Sequence, residues 1–139
     1  MIPLWIIDFT VETDRSHDEY EICFHSYCGK EVYLSENNRV AQRKNPTNEF
    51  RNAVIISNRP LITNKPFKLR IEGLVNKWNG SIEFGVTIHN PDSFELPATM
   101  TNLRSGTLVL SGNSILTNGH GNQLPYSVTS LDDLKVIIL

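Results

Sequence analysis

The chain has 139 residues, of which 40% are hydrophobic and 20% are charged, and its formal net charge is −2. This length fits one domain with its own hydrophobic core, and the composition argues against disorder. A net charge so close to zero argues against the extended basic surface that nucleic-acid binding needs. The apolar opening MIPLWIIDF is broken by Pro3 and Asp8 and is too short to span a bilayer, so we expect no stable membrane insertion and a cytoplasmic location.

Residues 8–21 are acidic and polar, which is typical of a leader or linker. Short β-rich segments follow, and Asn, Pro and Gly residues separate them as turns do. No window repeats apolar residues at helical spacing, although residues 130–134 could form one capped turn. The sequence predicts strands in these segments: Glu21–His25, Lys30–Ser35, Val40–Arg43, Ala53–Ser57 and Pro66–Ile71.

Residues 80–119 contain three further β-rich runs, Ser81–His89, Thr107–Leu110 and Asn113–Thr117. The first alternates apolar residues with others, as a strand with one buried face does. Gly112 predicts a tight hairpin between the last two runs, because glycine readily adopts positive φ. Many short strands with turns between them predict an all-β fold, an antiparallel β-sandwich with this core: Val32, Leu34, Val54, Ile56, Phe67, Leu69, Ile71, Ile82, Phe84, Val86 and Leu110.

Two small clusters have alternative interpretations. The basic residues Arg39, Arg43 and Lys44 surround a turn, either as a solvated strand end or as a contact for an acidic partner or phosphoinositide headgroup. Cys23 and Cys28 fit reduced structural thiols. A zinc site that included them would lack the second pair of ligands that closed structural sites need, so no metal is expected.

The sequence offers little for catalysis. It contains no G-x-S-x-G elbow, and its glycines lack the following helix that a phosphate-binding loop needs. No catalytic residue and no cofactor are therefore expected. The long loop Asn90–Gly106 is the candidate binding site, since loops on a rigid sandwich often bind partners. Its site residues are His89, Asn90, Asp92, Phe94, Asn102 and Arg104.

Two aromatic residues of this region have alternative roles. His89 either satisfies backbone groups at the corner after its strand or belongs to a recognition rim together with Phe94. Trp78, before the Asn79–Gly80 turn, is either a core residue or a binding hot spot.

Several ordered words of the sequence resemble the neuralized homology repeat. The words W-x-G-S-h-x-h-G-V-T-x-H-x-P, L-P-x-x-x-T-N-L-x-S-G-T and S-G-N-x-h-L-x-N-G are matched, as are F-H-x-x-C-G-x-x-V-x-L-S and S-N-R-P-L. They stand at Trp78–Pro91, Leu96–Thr107, Ser111–Gly119, Phe24–Ser35 and Ser57–Leu61. Because the resemblance begins at Phe24, residues 1–20 are expected to be an extension, and residues 21–139 the domain.

The resemblance implies a sandwich similar to concanavalin and SPRY folds that binds protein partners. It also implies an alternative, the substrate-recognition part of a ubiquitin ligase, whose RING would lie elsewhere, since two Cys and four His cannot supply eight zinc ligands. A carbohydrate-binding domain or hydrolase is a third hypothesis, by analogy of fold alone. The location implied is cytoplasmic and centrosomal.

One departure from the repeat concerns the end of the sequence. The family continues with further strands after L-D-x-L-K, whereas this sequence ends at Lys135–Leu139. The sequence therefore predicts a domain incomplete at its C-terminus. Such a domain would have an open sheet edge and could self-associate through it.

Overall fold

The computed structural model describes residues 4–7, 11–13, 22–49, 51–61, 69–71 and 83–125. Two 3₁₀ turns, Pro91–Ser93 and Met100–Asn102, lie within residues 90–106. No α-helix occurs in the ranges just given, and the expected all-β class is confirmed. The strands of these ranges are β1 Leu4–Ile7, β2 Val11–Thr13, β3 Val32–Ser35, β4 Val40–Arg43, β5 Val54–Ile56, β6 Leu69–Ile71, β7 Glu83–Thr87, β8 Thr107–Ser111, β9 Ser114–Thr117 and β10 His120–Gln123.

The strands form two antiparallel sheets. The six-stranded sheet has the order β10-β9-β8-β7-β1-β5, and the four-stranded sheet has the order β3-β4-β2-β6. Strands of both sheets contribute to one core, for example Ile55 and Phe84 from the first sheet and Val32 and Ala41 from the second. The two sheets are thus packed face to face, and the expected antiparallel β-sandwich is confirmed.

A second apolar layer covers the other face of the six-stranded sheet. Successive side chains of a strand point to opposite faces. Ile55 accordingly joins the core between the sheets, whereas Val54 and Ile56 belong to the second layer. Met100 and Val109 complete its buried part. A sheet covered on both faces has no polar side, so its strands depart from simple alternation.

Residues 4–7 and 11–13 lie inside the two sheets, where the sequence analysis expected an extension outside the domain. β1 lies between β5 and β7, with Trp5 opposite both Ile56 and Gly85. β2 lies between β4 and β6, with Val11 opposite Ala41 and Ile71. The segment LWII is a continuous apolar run, which is typical of a strand with both faces covered, and the polar residues after it obscured this signal.

The other strands agree with the sequence analysis, with small differences at their ends. β4 has the expected bounds, and the hairpin between β8 and β9 forms with Gly112 at φ 55°. Among the described residues of the run Glu21–His25, an isolated bridge joins Phe24 to Ser57. β10 was not expected, and it follows a turn in which Asn118 and Gly119 both have positive φ.

The expected core residues are found in three situations. Those buried are Val32, Val54, Ile56 and Phe84. Those partly buried are Leu34, Leu69, Val86 and Leu110. Those outside the described residues are Phe67, Ile82 and the side chain of Ile71, together with Trp78 and the turn expected at 130–134.

Arg43 is buried, which corrects the interpretation of Arg39, Arg43 and Lys44 as one exposed cluster. Its Nη1 donates to the carbonyl oxygen of Glu49 at 2.6 Å and to that of Arg51 at 3.3 Å. Burial lowers the pKa of Arg43 to about 10, which leaves the guanidinium charged at neutral pH. Arg43 therefore holds the turn after β4, because its charge satisfies two backbone carbonyls there.

Candidate functional site

Residues 90–106 form one long loop between β7 and β8. The ends of the loop meet, since the Ile88 N–H donates to the Gly106 carbonyl at 3.0 Å. Between its ends the loop lies over the second apolar layer, to which it contributes Phe94, Leu96, Met100 and Leu103. A loop with joined ends and packed side chains of its own is an Ω-loop. The loop is therefore both the cover of a core and the place where five of the six expected site residues lie.

Polar groups close the corner where the loop leaves β7. His89 Nε2 lies 2.8 Å from the Ser105 carbonyl, and because a carbonyl only accepts, Nε2 carries the proton. Asn90 Oδ1 accepts from the Asp92 N–H at 3.0 Å and caps the first 3₁₀ turn. The backbone carbonyl of Asn90 accepts from the Ser93 N–H at 3.0 Å. His89 and Asn90 thus satisfy backbone groups at the corner, which was one of the two roles considered for His89.

The middle of the loop contacts the segment that precedes β3. Asp92 Oδ1 lies 3.3 Å from His25 Nε2. His25 Nδ1 accepts from the Tyr27 N–H at 3.0 Å, so Nε2 carries the proton that faces Asp92. The Tyr27 hydroxyl oxygen accepts from the Leu96 N–H at 3.3 Å. His25 and Tyr27 therefore belong to the same surface as the loop, a contact between distant positions that local sequence patterns do not reveal.

The returning half of the loop presents Asn102 and Arg104, and both residues are exposed. The backbone is fastened before them, where the Ala98 carbonyl accepts from the Asn52 N–H at 2.7 Å. The aliphatic stem of Arg104 lies over the turn before β10, so close that a Cβ added at Gly119 would lie 2.9 Å from Arg104 Cγ. Arg104 is therefore an exposed residue with a supported stem.

Phe94 differs from the exposed rim residue that the sequence analysis expected. Its side chain packs against the second apolar layer. Its ring centroid lies 5.4 Å from that of His89, with the planes tilted by 33°. Replacement of Phe94 would therefore disturb the packing of the loop. The exposed members of the expected site are Asn90, Asp92, Asn102 and Arg104.

Glu83 of β7 lies beneath the loop and was missed by the sequence analysis, because a charged residue in an alternating strand is usually exposed. Its Oε1 accepts from Ser111 Oγ at 2.9 Å. Burial raises the pKa of Glu83, and the weaker opposing effects come from Ser111 and the N–H groups of Thr101 and Met100. The other carboxylate oxygen, Oε2, is buried without a hydrogen-bond partner. Glu83 thus lies in the sheet close to the second 3₁₀ turn.

Glu83→Gln is expected to change how stability depends on pH. A carboxyl whose pKa is raised on folding stabilises the fold below its unfolded-state pKa of about 4.3, and this contribution is lost as pH rises through the folded-state value. The free energy of unfolding of the wild type, relative to Glu83→Gln, should therefore fall as pH rises above about 4 and level off once Glu83 is ionised in the folded state. Urea unfolding at several pH values measures it. Glu95→Gln removes an exposed carboxylate from the loop of residues 90–106 and controls for the lost charge. If the stability of the wild type relative to Glu83→Gln rose with pH, the burial of Glu83 would be contradicted.

In the ranges that the structure describes, no three His, Cys, Asp or Glu residues lie close enough together to hold a metal ion. Cys23 and Cys28 are thiols and not halves of a disulfide, and burial raises the pKa of Cys28. No helix within the same ranges has the length and apolarity that a membrane span requires.

Comparison with known proteins gives the family. The model of the neuralized family matches residues 24–138, which is most of the sequence. The chain belongs to the neuralized family, as its ordered words indicated, and domains of this family are generally protein-interaction modules.

Curated relatives match a shorter region. Protein neuralized from Drosophila virilis and Protein neuralized from Drosophila melanogaster are each 32% identical to it over 72 residues. The matched region is 52% of this chain and 9% of either relative, so it represents a small part of those proteins. No solved structure matches the sequence significantly.

Proposed function

We propose that this domain binds a protein partner through one surface, which we call the loop surface. The observation that carries the proposal is that the loop of residues 90–106 is fastened along its length by hydrogen bonds at Ile88, Tyr27 and Asn52. A surface ordered before binding loses little conformational entropy on association. The loop surface comprises His25, Tyr27, His89, Asn90, Asp92, Phe94, Asn102 and Arg104.

The exposed groups of the loop surface suit recognition by hydrogen bonds and charge. The Asp92 side chain is 76% exposed although one oxygen faces His25, so the other can accept from a partner. Tyr27 is 42% exposed, and its oxygen accepts from the Leu96 N–H, which leaves the hydroxyl proton to donate outward. Tyrosine is enriched in protein interfaces because it combines apolar area with a polar end.

The test compares capture of partners by three forms of the domain. The first is the wild type, and the second carries Asp92→Ala, Asn102→Ala and Arg104→Ala, all at exposed positions. The third carries Tyr33→Ala and Gln42→Ala, on exposed positions of the four-stranded sheet. We expect proteins retained by the first and third to be captured about tenfold less by the second, with the thermal melt unchanged within a few degrees. Equal capture by all three would contradict the loop surface.

The second candidate is the substrate-recognition part of a ubiquitin ligase, with the RING on another polypeptide or region. It is supported by the family's combination of these repeats with RING fingers, and by relatives much longer than the matched region. A partner identified above should then be ubiquitinated when the domain is joined to a RING ligase and not when the triple variant is joined. Binding to a glycan array, without protein capture, would instead favour the carbohydrate hypothesis.

Three finer proposals accompany this function. We propose a likeness to the repeats of neuralized-like protein 4 and, with it, a cytoplasmic and centrosomal location, which microscopy of the tagged protein would test. Weak contact with a phosphoinositide headgroup would rest on Arg39 and Lys44, since Arg43 is buried. Self-association would use β10, the last strand of the six-stranded sheet, because its residues are all exposed.

A further inference from the structure

The end of β5 carries two buried polar atoms without hydrogen-bond partners. Ser57 is 2% exposed, and its Oγ has no partner. Arg59 is half buried, and its Nε is buried without a partner. Within the part of the sequence that the structure describes, no ion pair balances this guanidinium. Unsatisfied buried polar groups destabilise a fold and are few in native proteins, so their presence together requires a reason.

This unsatisfied position lies at the same end of the sheet as the loop surface. β5 and β7 flank β1, which pairs with both so that Trp5 is opposite Ile56 and Gly85 at once. The two flanking strands therefore run in the same direction at the same level. Residues that follow β5, including Arg59, leave the sheet at the same end of the strands as Ile88, which follows β7.

Exposed apolar side chains occur at the same end of the sheet. Ile88 is 65% exposed and Leu108 is 44% exposed. Leu108 is directly opposite Val86, so the two share a face of the sheet, and Ile88 follows Val86 by two residues. A partner that approached this end of the sheet could bury both apolar side chains and also contact Arg59.

The charges nearby define the group that Arg59 would take. In residues 22–29, 53–61 and 83–108, the basic residues are Arg59 and Arg104, and the stem of Arg104 lies over Gly119, at the turn before β10. The acidic residues of these ranges are Glu83, Asp92 and Glu95. A phosphate group of about two negative charges is usually bound by several cations. A single guanidinium matches a single carboxylate, which its fork can bind through two parallel hydrogen bonds.

We propose that Arg59 binds a carboxylate of the partner, from an Asp or Glu side chain or from the partner's C-terminus, while Ile88 and Leu108 cover an apolar side chain beside it. This inference rests on the proposed function and names the chemistry of the partner at one edge of the loop surface. It also explains why a half-buried guanidinium is retained without an internal ion pair, because binding supplies the opposite charge.

The test uses random peptides displayed with free C-termini and selected on the immobilised full-length protein. Enriched peptides are synthesised in matched forms: as selected, with Asp and Glu changed to Asn and Gln, with an amidated C-terminus, and with phosphoserine in place of Asp or Glu. Binding of each form is measured on the wild type, Arg59→Lys and Arg59→Met. The Asn/Gln and amidated forms identify which source supplies the carboxylate.

We expect loss of one carboxylate to weaken binding about tenfold or more on the wild type and hardly at all on Arg59→Met. Arg59→Lys should retain part of the binding, since it keeps the charge without the fork. Arg59→Met should melt no lower than the wild type, because no internal bond is lost. A melt that falls, with peptide binding unchanged, would assign Arg59 a structural role and overturn the inference.

Other outcomes separate the two proposals. Peptides that depend on Asp92 and Arg104 but not on Arg59 would overturn the carboxylate site and leave the loop surface standing. A preference for phosphoserine over Asp would replace the carboxylate by a phosphate and overturn the inference as stated. Absence of any binding peptide, with the fold intact by circular dichroism, would count against both.

Discussion

Met100→Ala is expected to lower the free energy of unfolding by about 2–5 kcal/mol. Met100 is 0% exposed, and it packs with Val54, Ile56 and Val109 beneath the loop of residues 90–106. Removal of its side chain leaves a cavity between the loop and the six-stranded sheet, and the neighbours can close it only in part. Urea denaturation, followed by circular dichroism, measures the change.

Asn102→Ala is the matched control for this variant. Asn102 ends the same 3₁₀ turn that begins at Met100, but it is exposed. Its replacement should change the free energy of unfolding by no more than about 0.5 kcal/mol. If the two variants were equally stable, the loop would be a surface feature and not the cover of a core.

Gly29→Ala is the second change with a large expected effect. It should lower the free energy of unfolding by about 3 kcal/mol. A Cβ at Gly29 would overlap the Asn52 carbonyl oxygen and lie 2.6 Å from its carbon and 2.9 Å from the Val54 nitrogen. All three are backbone atoms, so none of them can move aside by a simple change of rotamer. The strand pairing made by the Gly29 N–H to the Val54 carbonyl, at 2.8 Å, would have to stretch.

Gly121→Ala provides the comparison. Gly121 lies in β10, and the atom nearest to an added Cβ is Leu116 Cγ, at 3.9 Å. That distance is ordinary contact, so thermal melts of Gly121→Ala and the wild type should agree within a few degrees. If Gly29→Ala melted at the same temperature as Gly121→Ala and the wild type, residues 22–31 would not be held closely against β5.

The sequence predicted the parts of the fold that local patterns determine. The turn at Gly112 and the bounds of β4 follow from residue types at neighbouring positions. The second apolar layer was not predicted, because it depends on how the loop folds back over the sheet. Met100 and Leu103, three residues apart in a polar loop, gave no strand or helix period that would have indicated burial.

The candidate site was predicted in part for the same reason. The loop was located from its position between two strands, and Asp92 and Arg104 are exposed as a binding role requires. The partners of the loop, such as His25 for Asp92, come from distant positions that only the folded protein brings together. Burial of Phe94 likewise depends on the sheet below it.

The central position of the first two strands has a consequence for folding kinetics. β1 pairs with β5 and β7, and β2 pairs with β4 and β6, all of which come later in the sequence. Pairing over such sequence separations requires the closure of long loops, so folding should be slow. During synthesis the apolar segment LWII emerges before both of its partner strands. It remains without its second partner until residues 83–87 have left the ribosome. That segment is where a chaperone would be needed first, and where aggregation of nascent polypeptides would begin.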